Sequence, residues 1–156
     1  MGRKIRAKTW ALLSLKKCGF TEEDLLTVYK SMMRPIVEYC SPAWGSMLSR
    51  DQVEKLERHQ TQALKHIYGV GLSAEKMRCR ADLKTLQERR EEAAVKFAKK
   101  AEKNPRFRHW FAERPAPTRG RRDSAAYRRL EVDRFRTEKH MNSPLNYLRR
   151  LLNQVE

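Results

Sequence analysis

Acidic side chains are scarce in this chain: 19 Asp and Glu stand against 35 Lys and Arg, leaving a formal net charge of +16. That excess is too large for a neutral enzyme seeking small substrates. It favours a polyanionic partner, chiefly nucleic acid and secondarily an acidic membrane surface. The five aspartates (Asp24, Asp51, Asp82, Asp123, Asp133) are dispersed, with no Asp-Asp pair. Two-metal phosphoryl transfer needs carboxylates that hold ions roughly 4 Å apart, so no catalytic residue is assigned. Cysteine is rare and odd in number: Cys18, Cys40 and Cys79 form no Cys-x-x-Cys spacing, and His59, His66, His109 and His140 are scattered. Neither a zinc knuckle nor any other metal or cofactor is expected, and the thiols read as free groups in a reducing compartment. Gly69-Val70-Gly71 lacks the lysine and the spacing of a phosphate loop. No apolar run approaches the ~20 residues of a membrane span. The basic start, Met1-Gly2-Arg3-Lys4-Ile5-Arg6, has no apolar core of a secretory signal and does not fit the myristoylation pattern. The expected location is intracellular, nuclear or cytoplasmic.

What is present is a helical pattern. Hydrophobic residues make up 40% of the chain, enough for one moderate core, and strand-like alternation is absent. The most apolar stretch is residues 25–44. Leu25, Val28, Met32, Ile36 and Tyr39 recur at helical spacing, with Leu26, Tyr29, Met33, Val37 and Cys40 beside them. Pro35 sits inside this wide stripe, where it removes a donor and crowds the preceding turn at a cost of about 3 kcal/mol, so a bend or restart is expected. A first helix over residues 4–18 stops at Gly19, and Thr21-Glu22-Glu23-Asp24 resembles a capping box. Ser49 to Gln52 does the same for a third helix with Val53, Leu56, Ala63, Leu64, Ile67 and Tyr68 inside. Ser73 caps a short helix, and Thr85 caps one running to Lys103 with Leu86, Ala93, Ala94, Phe97, Ala98 and Ala101 inward. Trp10, Leu13 and some of Met32, Met33 and Met47 are candidates for exposure.

The expected fold is all-α: a bundle of about five helices over residues 1–111, a basic linker over 112–142, and a C-terminal amphipathic helix over 143–156. The linker is proline-broken and arginine-rich, hence extended or disordered. Leu145, Leu148, Leu151, Leu152 and Val155 form a stripe that must cover something, either the bundle or a partner.

Over residues 99–150 there are 16 Lys and Arg against 6 Asp and Glu, with arginine dominant. Arginine forks match phosphate oxygens. Lys99, Lys100, Lys103, Arg106, Arg108, Arg119, Arg121, Arg122, Arg128 and Arg129 are therefore candidate phosphate contacts; each taken singly also reads as a solvated surface charge. A second set, Arg3, Lys4, Arg6, Lys8, Lys16 and Lys17, brackets the first helix. Phe107, Trp110 and Phe111 lie in an Arg- and His-rich turn where stacking on bases competes with packing, whereas Tyr29, Tyr39 and Trp44 read as core. Glu38 beside Arg34 reads as a local i,i+4 pair, and Glu88, Glu91 and Glu92 with Arg89, Arg90 and Lys96 as a solvated charged face.

Tyr29-Lys30 through Arg34-Pro35-Ile36-Val37-Glu38-Tyr39-Cys40-Ser41-Pro42-Ala43-Trp44 resembles the segment after the palm in reverse transcriptases of non-LTR (LINE-type) retrotransposons, particularly the Jockey/CR1-like group. The likeness continues through Leu56-Glu57-Arg58-His59-Gln60, Ala63-Leu64-Lys65-His66-Ile67-Tyr68-Gly69, Leu86-Gln87-Glu88-Arg89-Arg90 and Lys96-Phe97-Ala98-Lys99-Lys100. It runs on through Asn104-Pro105-Arg106-Phe107 and His109-Trp110-Phe111. It ends with Asn142-Ser143-Pro144-Leu145-Asn146-Tyr147-Leu148-Arg149-Arg150-Leu151-Leu152-Asn153. The resemblance implies a thumb and post-thumb region without the palm and its paired aspartates. It implies sequence-independent contact with RNA template, DNA product or their hybrid, with an upstream palm as a further partner. No polymerase activity of this chain alone is expected. The alternative is a non-catalytic helical interaction module, derived from a retroelement, whose charge serves solubility and whose last helix binds a partner protein.

Overall fold

Helix starts in this chain are set by local chemistry. Thr21 accepts the Asp24 N–H at 3.3 Å while the Asp24 carboxylate accepts the Thr21 N–H at 3.2 Å. Ser49 and Gln52 form the same reciprocal box, as do Thr85 and Glu88; Ser73 accepts the Lys76 N–H. Each arrangement satisfies donors that the first helical turn leaves without intrahelical partners. The computed structural model describes residues 2–111, 130–132 and 136–155, and among them every regular element is helical. The fold is all-α. In order, the helices are α1 (Gly2–Lys17), α2 (Glu22–Val28), α3 (Arg34–Glu38), α4 (Ser41–Trp44), α5 (Arg50–Tyr68), α6 (Ala74–Arg80), α7 (Leu86–Lys103), α8 (Glu138–Met141) and α9 (Pro144–Val155). The chain divides into two compact units, one of Met1–Ser41 with Leu48–Arg90 and one of Pro42–Met47 with Glu91–Glu156.

In the first unit α1 packs on α5 and α2, burying Ile5 and Leu12. Gly19, at φ 88°, ends α1 in a Schellman arrangement: the Phe20 N–H reaches the Leu15 carbonyl and the Gly19 N–H that of Lys16. Pro35 does not break the next helix. The strain is absorbed upstream, where residues Tyr29–Met33 form a π-helical turn that joins α2 to α3. The Arg34 N–H bonds the Tyr29 carbonyl five residues back, and this wider turn makes room for the proline ring. It also sets which face is buried. A π turn takes more residues than the 3.6 of an α turn, so a four-residue row drifts less around the axis. Leu25, Tyr29, Met33 and Val37 accordingly stay on one line and are buried. Of the rest of the apolar stripe, Met32 is exposed and Ile36 half-buried. Tyr39, read as core from its spacing, is 79% exposed because it lies just past the end of α3.

Leu56, Ala63, Leu64 and Ile67 of α5 complete this core with Met77, Ala81 and Leu86. A polar residue, Gln60, occupies a further inward position, its side-chain N–H₂ donating to the Lys84 carbonyl at 3.1 Å. Gly69, at φ 93°, closes α5.

The second unit is built on small residues. Ala94, Ala98 and Ala101 of α7 form one cluster with Phe111, Leu130, Leu148 and Leu152, and Phe107, Trp110, Tyr147 and Leu151 pack against it. Phe97, expected inward, is 40% exposed. At 100° per residue it lies on the flank of the line through Ala94, Ala98 and Ala101, about 60° from Ala94, where the face meets solvent. The leucines of α9 dock within their own unit. Leu130, inside the segment expected as linker, is fully buried, and its N–H and carbonyl are both taken by the Asn153 side chain, at 2.9 and 3.1 Å. The amide thus meets both backbone groups of this one residue, as a donor and acceptor together can. Residues 112–129 of that linker lie outside the described residues.

Candidate nucleic-acid interface

Helix α1 carries six basic residues in 16 and no acid. Four of them, Arg3, Lys4, Arg6 and Lys8, lie in its N-terminal half, where the helix dipole disfavours positive charge. Helix stability does not account for that placement. Ile5 and Leu12 point into the core; Lys4 and Arg6 are exposed and Lys8 is half-buried on the flanks, and Lys17 is exposed at the C-terminal end. Lys16 has a different position. Its ammonium donates to the carbonyls of His66 and Ile67 at 2.7 and 2.9 Å, capping the C-terminal end of α5. Burial and the Lys16 charge together push the His66 pKa below its ordinary value. The side chain of Arg3 lies outside the described residues.

In the second unit, Lys99 and Lys100 are exposed on α7 together with Lys103. Lys96, which the sequence placed in a general charged face, joins them: positions 96, 99, 100 and 103 follow the i, i+3, i+4, i+7 spacing of one helix face, opposite the buried alanines. The stripe spans about 10 Å along the axis at 1.5 Å per residue. Arg106 and Arg108 follow in the exposed turn after α7, where the Asn104 side chain accepts the Arg106 N–H at 3.0 Å. The aromatic residues of that turn are packing elements. The Phe107 and Trp110 rings lie 4.7 Å apart, Phe111 is buried, and the Trp110 carbonyl accepts the Arg149 guanidinium at 2.6 Å. Arg119, Arg121, Arg122, Arg128 and Arg129 lie outside the described residues.

Several carboxylates of the first unit have structural partners. Glu38 receives Arg89 at two points, 2.5 and 2.9 Å, with Arg34 at 3.4 Å from the same group. The local Arg34–Glu38 pair expected from the sequence is present, Arg89 joins it and ties α3 to α7, and Arg89 and the buried Arg90 are not part of a solvated face. Glu22 pairs with Arg80 at 2.8 Å, Arg80 in turn lies over the Tyr68 ring, and Glu57 accepts the Gln87 N–H. Burial drives the Tyr29 phenol well above its usual range, with Arg34 opposing and Glu38 adding to the rise. This is the signature of a neutral core tyrosine. Tyr29 lines a water-sized cavity with His59 and Gln60 among aliphatic side chains, too small for a substrate.

Among the described residues, no group of three or more His, Cys, Asp or Glu converges on a metal position, and no helix is long and apolar enough to cross a membrane. The three cysteines are free thiols. What the arrangement offers chemically is exposed positive charge on two helices, α1 and α7. No family model, curated protein or solved structure matches the chain.

Proposed function

We propose that this chain binds nucleic acid through its phosphate backbone, without reading base sequence, as the palm-less C-terminal part of a non-LTR retrotransposon reverse transcriptase. The observation that carries the binding reading is the division of labour among charges. In the first unit Asp24 and Glu88 cap helices and Glu22 and Glu38 hold arginines, while Lys4, Arg6 and Lys17 stand exposed on α1. Lys96, Lys99, Lys100 and Lys103 do the same on α7. Phosphate contacts need little more than such cations on a firm scaffold, and they position a protein on nucleic acid without specifying sequence. The retroelement origin rests on the ordered blocks of sequence alone, within residues 29–44, 56–69, 86–111 and 142–153. On the competing interaction-module reading, the leucines of α9 would be the docking surface. Leu148 and Leu152 are buried in their own unit, which favours the first reading.

The test is a fluorescence-anisotropy titration against an RNA–DNA hybrid at several salt concentrations. Submicromolar binding at low salt is expected, weakening with a log–log slope of about −3 to −6 as several phosphates are neutralised together. Changing Lys96, Lys99, Lys100 and Lys103 to Gln reduces that slope, and changing Arg119, Arg121 and Arg122 to Gln measures the share of the late basic segment. Absence of binding at low salt rejects the reading and leaves the interaction module in its place.

A further inference from the structure

Trp10 is 72% exposed on α1. An indole is a large apolar surface that a helix ordinarily turns inward, and here the same helix buries Ile5 and Leu12 while leaving its tryptophan in water. Its neighbours one turn away are Arg6 and Ala7 before it, and the half-buried Leu13 and Ser14 after it, the Ser14 hydroxyl donating to the Trp10 carbonyl at 3.1 Å. The Trp10 side chain is open to solvent over most of its area. Lys17 falls seven residues on, along the same side of the helix. Arg6 and Lys17 thus bracket the ring at about 6 and 10 Å along the axis, within reach of their own long side chains.

We propose that Trp10 is a stacking platform for an unpaired base of single-stranded nucleic acid, with Arg6 and Lys17 holding the flanking phosphates. The inference rests on the nucleic-acid reading above and narrows it for α1. A base inside a duplex already has neighbours on both faces, whereas a single strand has an apolar ring to offer between negative charges, which is the complement of this surface. An anionic membrane would be the other polyanion, but an interfacial helix needs a continuous apolar face for the acyl boundary. On α1 that face is turned to the core at Ile5 and Leu12, and Leu13 beside it is half-buried, leaving one exposed aromatic among cations, Ala7 and Ser14. Lysines alone suffice for phosphates, as in the stripe on α7, so the exposed indole marks the helix that meets bases.

The experiment uses the full chain with two labelled probes, a single strand of about 12 nucleotides without self-complementarity and a duplex of the same length, titrated by anisotropy at low salt. The variants are Trp10→Ala, Trp10→Phe and Arg6→Gln, with helicity checked by circular dichroism. Stacking worth about 1–3 kcal/mol per base converts to a roughly 5- to 150-fold weaker single-strand affinity in Trp10→Ala. Duplex affinity is expected to stay within about twofold, because backbone contacts are untouched. Trp10→Phe is expected to recover most of the loss. The salt slope is expected to be unchanged in both Trp10 variants, and reduced in Arg6→Gln, since only the latter removes a charge. Equal affinity of wild type and Trp10→Ala for the single strand overturns the proposal, as does an equal loss on both probes. Failure of wild type to bind either probe overturns it together with the nucleic-acid reading, whereas duplex binding by wild type with no Trp10 effect leaves that broader reading standing.

Discussion

The two units solve the same packing problem with opposite materials. The first fills its core with large side chains, Leu12, Leu25, Tyr29, Leu64, Ile67 and Met77 among them, and fastens charged groups at its margins through Glu38, Arg89 and Arg80. The second lets alanines of α7 take the positions where a bundle usually has leucines, and fills around them with Phe111, Leu130, Leu148 and Leu152. Small residues bring backbones close and gain dispersion contacts without side-chain entropy loss, while large ones gain more apolar area per residue. The first unit should therefore be sensitive to lost volume and the second to added volume.

The largest effect is expected from Leu64→Ala. Leu64 has no exposed surface, and a cavity of leucine size in a packed core costs about 3 kcal/mol. Hydrogen exchange distinguishes where the cost falls. Amides of Glu22–Val28 should lose roughly 100-fold protection while those of Pro144–Val155 keep theirs. Equal losses in both helices would break the comparison, because the two units would then open as one.

Ala98→Leu is the mirror experiment and the next in size. Ala98 is also fully buried, and forcing three extra carbons into that space is expected to cost about 2 kcal/mol, read as lost protection in α9. Phe97→Ala, one residue away, is the control: its ring is substantially exposed, so removing it should cost less than about 1 kcal/mol. If truncating Phe97 hurts more than enlarging Ala98, the unit is not packed on small residues as described.

How much of this was legible beforehand depends on the range of the interactions. The boxes at Thr21, Ser49 and Thr85 are four-residue events, and residue identity at fixed offsets suffices to place them. Pro35 announced a perturbation but not its form, because bending and a π turn relieve the same clash. The choice of Met33 and Val37 over Met32 and Tyr39 depends on what lies opposite, and a stripe apolar on both flanks does not reveal that. Phe97 misled for a related reason: its spacing puts it on the flank of the alanine line, and how far that flank is covered depends on what lies opposite. The division after Arg90 falls within α7, a single continuous helix with no turn or proline to mark the point. Of the candidate interface, the two basic clusters were visible as charge runs, and Lys96 joined one of them only once the helix face was drawn. Lys16 looked the same as its neighbours, since nothing local to it says that the end of α5 lies fifty residues on in sequence and within reach in space.

That contact supports the smallest and most specific expectation. The folded state holds His66 below the usual histidine pKa, by burial first and by Lys16 second. A histidine whose folded pKa is depressed favours the neutral form, so its full contribution is present above the unfolded value of about 6.5 and is lost as pH falls through and below it. Chemical denaturation between pH 7.5 and 5.5 should show stability falling on the acid side, by an increment that disappears in His66→Gln. Lys16→Met separates the two causes. Removing the ammonium costs the α5 end its two carbonyl partners, about 1 kcal/mol at every pH. It also relieves the charge repulsion, so the acid-side loss should shrink yet persist, because burial remains. If the acid-side loss vanishes altogether in Lys16→Met, charge and not burial sets the shift. The end of α5 would then be wetter than its packing on α1 implies.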